Sequence, residues 1–78
     1  MPEVLRIRGC RFFFFSREGH EPRHIHVERA ESYAKFWLDP VDLVDSRGFR
    51  SSELREIHKL IEEHRESFMV SWDEHFSQ

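Results

Sequence analysis

A chain of 78 residues, 38% hydrophobic, 35% charged and 14% aromatic, excludes both a disordered polypeptide and a multidomain assembly. Its formal charge of −3 excludes a protein that coats nucleic acid through bulk charge. Its single cysteine, Cys10, excludes an internal disulfide.

The length predicts one domain over residues 1–78. A chain this short buries only about 60% of its unfolded surface, so the expected core is small and sharing it with a partner is an option. No apolar run approaches the roughly 20 residues of a membrane span. The start MPEVLRIRG lacks the apolar stretch of a signal peptide. With the lone cysteine, these features predict a cytoplasmic protein without a membrane partner.

Val4, Leu5 and Ile7 alternate with Arg6 and Arg8 and predict a first strand, and Gly9-Cys10 predicts a tight turn. Residues 11–16, RFFFFS, predict a second strand. Strand alternation sends Phe12 and Phe14 to one face and Phe13 and Phe15 to the other, so both faces are apolar. A small sheet usually has one face covered by another layer. One phenylalanine pair therefore belongs to the core. The other is covered locally by a loop, or forms a surface for a partner or ligand.

Residues 17–23, REGHEPR, carry Gly19 and Pro22 and predict a connection. HIHVE, residues 24–28, predicts a third strand with Ile25 and Val27 on one face and His24, His26 and Glu28 on the other. After a polar turn at 29–32, YAKFWL predicts a fourth strand, with Ala34, Phe36 and Leu38 opposite Tyr33, Lys35 and Trp37. Asp39-Pro40 breaks it, Val41 to Val44 forms a short edge, and residues 45–48 turn.

From about Ser51 to Phe76 the period changes. Leu54, Ile57, Leu60, Ile61, Phe68, Trp72 and Phe76 recur at three- and four-residue steps, which predicts one long amphipathic helix. Ser51 or Ser52 is its expected N-cap, with Glu53 and Glu56 in the first turn. At about 1.5 Å per residue it would run about 39 Å, longer than the sheet requires. A bend near Ser67, or an end that packs on another chain, accommodates the excess. The predicted fold class is α+β: a small antiparallel sheet of four to five strands (about 3–45) with one long C-terminal helix (about 51–76) on one face.

Chemistry concentrates in His20, His24 and His26. His24 and His26 stand side by side on a strand face, and His20 could fold back across the proline turn. Imidazoles grouped this way suit three readings. In the first, His24 and His26, with His20, move protons in RNA cleavage. Arg23, Arg17 and Lys35 then contact phosphate, and Phe13, Phe15, Tyr33 and Trp37 stack on bases. In the second, His20, His24 and His26 ligate a transition metal, with Glu21 or Glu28 completing the site. In the third, the histidines are a solvated strand face, hydrogen bonded to Glu21 and Glu28. Strand geometry makes the face flat, better suited to docking or RNA contact than to enclosing an ion, so no metal or other cofactor is expected. His58, His64 and His75 lie too irregularly on the helix to share one ion, and Cys10 has no neighbouring histidine to make it a nucleophile.

The chain resembles a family of very small bacterial proteins labelled as a domain of unknown function, number four-one-six-zero. The matching residues are Met1-Pro2, Val4, Arg6, Gly9, Phe12 to Ser16, Glu21-Pro22, His24 to Val27, Ala34 to Phe36, Pro40-Val41 and Gly48-Phe49. They continue through Glu53-Leu54, Ile57, Ile61, Trp72 and Phe76. E-P-x-H-x-H-V is the specific part, and members often carry a second proline where this chain has Arg23. The resemblance implies a toxin-like component of a two-gene, toxin–antitoxin-type module, with a small cognate protein encoded nearby as partner. It carries no catalytic assignment onto these positions. RNA as target, a homodimer, and a purely protein-docking role all stay open.

Overall fold

The structure is a computed structural model and describes residues 3–76; Met1, Pro2, Ser77 and Gln78 lie outside the described residues. The fold is α+β. Five strands, β1 (Glu3–Ile7), β2 (Cys10–Phe13), β3 (His24–Arg29), β4 (Ser32–Leu38) and β5 (Val41–Arg47), precede two helices, α1 (Ser51–Glu63) and α2 (Arg65–Phe76). The sheet is an antiparallel meander in chain order, β1-β2-β3-β4-β5.

The first turn falls at Arg8-Gly9, one residue earlier than expected, and both residues have positive φ, 52° and 78°. Two successive left-handed residues match the right-handed twist of the strands they join. Cys10 therefore begins β2 rather than ending a turn, and it is buried. β2 stops at Phe13, so Phe14 and Phe15 belong to the connection and not to the strand. β5 runs to Arg47, three residues past the expected edge, and turns at Gly48. A Cβ at Gly48 would stand 2.7 Å from Ser32 Oγ, so the position is closed to a side chain.

The expected single helix is two. The chain kinks at His64, whose φ and ψ of −106° and 10° leave the helical region. His64 marks the kink with its own side chain: Nδ1–H donates to the Leu60 carbonyl at 2.9 Å, alongside the backbone bond from His64 N to the same oxygen. The break lies three residues before Ser67 and needs neither proline nor glycine. The first helix is capped by Arg50 rather than by Ser51 or Ser52, and the Glu53 carboxylate accepts the Arg50 N–H at 2.8 Å.

Strand alternation built the core as expected. Phe12, Ile25, Val27, Ala34, Phe36 and Leu38 line one face of the sheet, and Ile57, Leu60, Ile61, Phe68 and Trp72 meet them from the helices. Phe14 joins this cluster from beyond the end of β2, edge-on to Trp72. Kinking lets α2 carry Trp72 to the end of the sheet where β3 begins and β4 ends.

Phe12 is fully buried and stacks on Phe68, whereas Phe15 is 43% exposed. Phe12→Ala should cost about 3–5 kcal/mol in urea unfolding, and Phe15→Ala well under half of that. Burial also pushes the Cys10 thiol pKa up, only partly opposed by Arg29. Alkylation of Cys10 by iodoacetamide should be slow in the native protein and become fast once urea unfolds it.

Candidate functional site

Of the two alternatives for the outer face, cover by a loop or an open flat surface, the structure has the loop. Register places Phe13 beside His26, His26 beside Lys35, and His24 beside Trp37. Above them the connection 14–23 folds back over the face. As a result both imidazoles are buried, His24 fully and His26 to 2% exposure. Phe13 and Phe15 pack on the His26 ring at 5.4 and 4.7 Å between centroids, and Trp37 and Trp72 stand edge-on to His24 at 5.7 and 4.7 Å. The Arg11 guanidinium lies 4.2 Å over Phe13.

Glu18 organises the site. Its carboxylate accepts the His26 Nε2–H at 2.9 and 3.0 Å and the Phe15 backbone N–H at 3.0 Å. The other His26 nitrogen, Nδ1, accepts the Tyr33 hydroxyl at 2.8 Å. In His24, Nδ1–H donates to the Pro22 carbonyl at 2.9 Å. A carbonyl only accepts, so this bond fixes the tautomer and leaves Nε2 of the neutral ring as a bare acceptor. That atom is buried and lies 3.0 Å from Glu18 Oε1 without meeting hydrogen-bond geometry, and it has no hydrogen-bond partner among the described residues. An unsatisfied buried polar atom costs about 1–3 kcal/mol.

Electrostatics favour the deprotonated forms of His26 and Glu18. Burial lowers the His26 pKa and outweighs the attraction of Glu18. Burial raises the Glu18 pKa, but the hydrogen bonds from His26 and from the Phe15 N–H outweigh it and hold the carboxyl below its usual range. Glu18, His24 and His26 place one donor atom each within 4.8 Å of one another.

The other expected site residues are distributed differently. His20 is exposed and is not part of the buried group; among the described residues its ion-pair contact is with Glu21 at 3.8 Å. Glu21 is held by Lys35 at 2.9 Å and stands 3.8 Å from His24 Nδ1, and Glu28 is held by Arg11 at 2.6 Å, so among the described residues neither hydrogen bonds an imidazole. Lys35 also lies 5.0 Å over Trp37. Arg23 is committed to a two-point contact with Asp73 of α2, at 2.9 and 2.8 Å. Arg17 is exposed, with no ion pair among the described residues. Beside His24 opens a cleft of about 510 Å³ lined by Glu21, Pro22, Arg23, Trp37, Asp39 and Trp72.

Sequence reasoning missed Glu18, Asp73 and the lining role of Trp72. Glu18 sits in an aperiodic connection, where nothing in spacing sets it apart from the chain's other acids. The one usable signal was the neighbourhood of His24 and His26: aromatic residues on both flanking strands leave two imidazoles no room for water.

An α+β meander with two buried histidines under a looped carboxylate defines the class of site. The chain matches the family described as Domain of unknown function (DUF4160) over residues 9–73 and belongs to it. No curated protein and no solved structure gives a significant match. Among the described residues, no helix is long and apolar enough to cross a membrane.

The dependence on Glu18 is measurable. Glu18→Ala strips His26 of its charged acceptor inside the fold and should cost about 1–3 kcal/mol in urea unfolding. Glu28→Ala, which breaks a half-exposed pair, should cost under about 1 kcal/mol.

Proposed function

We infer that the protein is the toxin-like member of a two-gene, toxin–antitoxin-type module and works through a protein contact, with a small cognate protein as its partner. The observation that carries this reading is the cleft between Trp37 and Trp72. Two tryptophan walls beside Pro22, ringed by Glu21, Arg23 and Asp39, have the composition of a protein–protein anchor pocket, where aromatic residues and arginine supply most of the binding energy. The gene-pair context comes from the family resemblance.

The charges at the rim favour a protein over RNA. Arg23 is neutralised by Asp73, Lys35 by Glu21, and Arg65 by Asp39. Binding to phosphates rests on cations that release counterions, and cations already paired within the fold contribute little of that. The catalytic version of the RNA reading also asks His24 and His26 to reach a phosphate, and both lie under the 14–23 connection. It would need that connection to lift.

Co-expression with the product of the adjacent gene should relieve growth arrest and yield a stable complex. Trp37→Ala should weaken that complex about thirtyfold, the roughly 2 kcal/mol of an aromatic hot spot, with circular dichroism unchanged. Absence of a complex would sink the proposal. Degradation of cellular RNA that His24→Gln abolishes would replace it with the RNA-directed reading.

A further inference from the structure

We propose that Glu18, His24 and His26 form a binding site for a single first-row divalent transition-metal ion, with zinc as the natural candidate. The donor set is two imidazole nitrogens and one carboxylate, the hard-to-borderline combination that zinc, nickel, cobalt and iron(II) accept.

The argument starts from His24. Its Nδ1–H is spent on the Pro22 carbonyl, so the lone pair of Nε2 is available, fully buried and unpartnered. Facing it at 3.0 Å is an oxygen of the Glu18 carboxylate, which is also an acceptor. Two acceptors this close repel unless a cation, a proton or a metal ion, joins them, and Nε2 makes no hydrogen bond of good geometry among the described residues. Two ligands of one ion, each about 2.0–2.2 Å from it, stand about 3.0–3.5 Å apart. His24 Nε2 and Glu18 Oε1 already have this separation. His26 Nε2 stands 2.9 Å from the same oxygen.

A second observation lies one shell out. Metal-bound histidines hold their other ring nitrogen on an oxygen, which fixes the tautomer and the ring orientation. Both histidines do so here: Nδ1 of His24 on the Pro22 carbonyl, and Nδ1 of His26 on the Tyr33 hydroxyl. Binding asks only for a change of tautomer at His26. Its proton passes from Nε2 to Nδ1, and the Tyr33 oxygen turns from donor to acceptor. The Phe15 N–H orients the Glu18 carboxylate throughout.

The site differs from the His20, His24, His26 set that spacing alone offers, because Glu18 takes the place of the exposed His20. Phe13, Phe15, Trp37 and Trp72 wall it against solvent, and the Glu18 side chain retains 15% exposure as the way in. An ion held there fastens the 14–23 connection to β3.

The test is titration of chelator-stripped, full-length protein with Zn(II), and with Co(II) for its visible spectrum, read by native mass spectrometry and thermal unfolding. One equivalent should bind, with a rise in melting temperature and Co(II) bands characteristic of four or five ligands. Affinity should fall about a hundredfold or more in Glu18→Gln and His24→Gln, and about tenfold in Tyr33→Phe, where only the group orienting His26 is lost. His20→Ala should bind like the parent. The parent's own titration needs no variant to fold. If the parent takes up none of Zn(II), Co(II), Ni(II) or Fe(II), the site does not exist. If His20→Ala weakens binding as much as Glu18→Gln, the assignment of ligands is overturned.

Discussion

The Glu18 carboxylate is the contact on which the outer half of the molecule depends. Two helices cover only one face of the sheet. The other face carries Phe13, His24 and His26, all buried, and the chain has no second helical layer to put over them. The cover is supplied by the connection between β2 and β3. That connection packs Phe15 on the His26 ring and is held at its centre by polar contacts: Glu18 on His26, and the Phe15 N–H back onto Glu18. Polar groups that would be costly to bury singly become mutually satisfying when the loop brings them together.

The ends of the connection are tied to the opposite layer. Phe14 enters the core against Trp72 and Phe76, and a Cβ at Gly19 would stand 2.8 Å from the Phe76 ring, so that residue is small because the helix passes over it. At the other end Arg23 grips Asp73, while its carbonyl accepts the Leu38 N–H at 3.1 Å. All of these helical partners lie on α2, beyond the kink at His64. The kink therefore does more than shorten a helix. It aims α2 at the end of the sheet, so that Trp72 touches the core through Phe14 and the buried histidines through His24. The two faces of the sheet are mechanically joined there.

Periodic structure was legible in the sequence, and aperiodic structure was not. Alternation placed Phe12, Ile25, Val27, Ala34, Phe36 and Leu38 on one face because a strand leaves no other choice. The spacing from Leu54 to Phe76 identified helix but not its division, since the kink rests on a histidine side chain bonding a carbonyl and not on a proline or glycine. Alternation also put His24 and His26 on the opposite face correctly. It left open whether this face is covered by a loop or open, because the cover is a segment without period whose decisive residue, Glu18, looks like any other acid. Glu21 and Glu28, nearer to the histidines in sequence, were engaged by Lys35 and Arg11.

The stretch E-P-x-H-x-H-V, which carries the family resemblance, behaves as one structural unit. Pro22 has no N–H to place, and its carbonyl instead fixes the tautomer of His24. Glu21 takes Lys35 from the next strand. Arg23, at the variable position, reaches away to Asp73, and Ile25 and Val27 face the core between the two histidines. A domain this small has little stability to spare, and a buried polar cluster is often matched or bettered in stability by apolar residues of the same size. Two phenylalanines in place of His24 and His26 would extend the aromatic cluster already there without leaving an acceptor unpaired. The cluster is thus hard to account for as scaffold alone. An orphaned nitrogen, a fixed tautomer and a carboxylate brought from outside the sheet are costs that become intelligible if the site has something to hold.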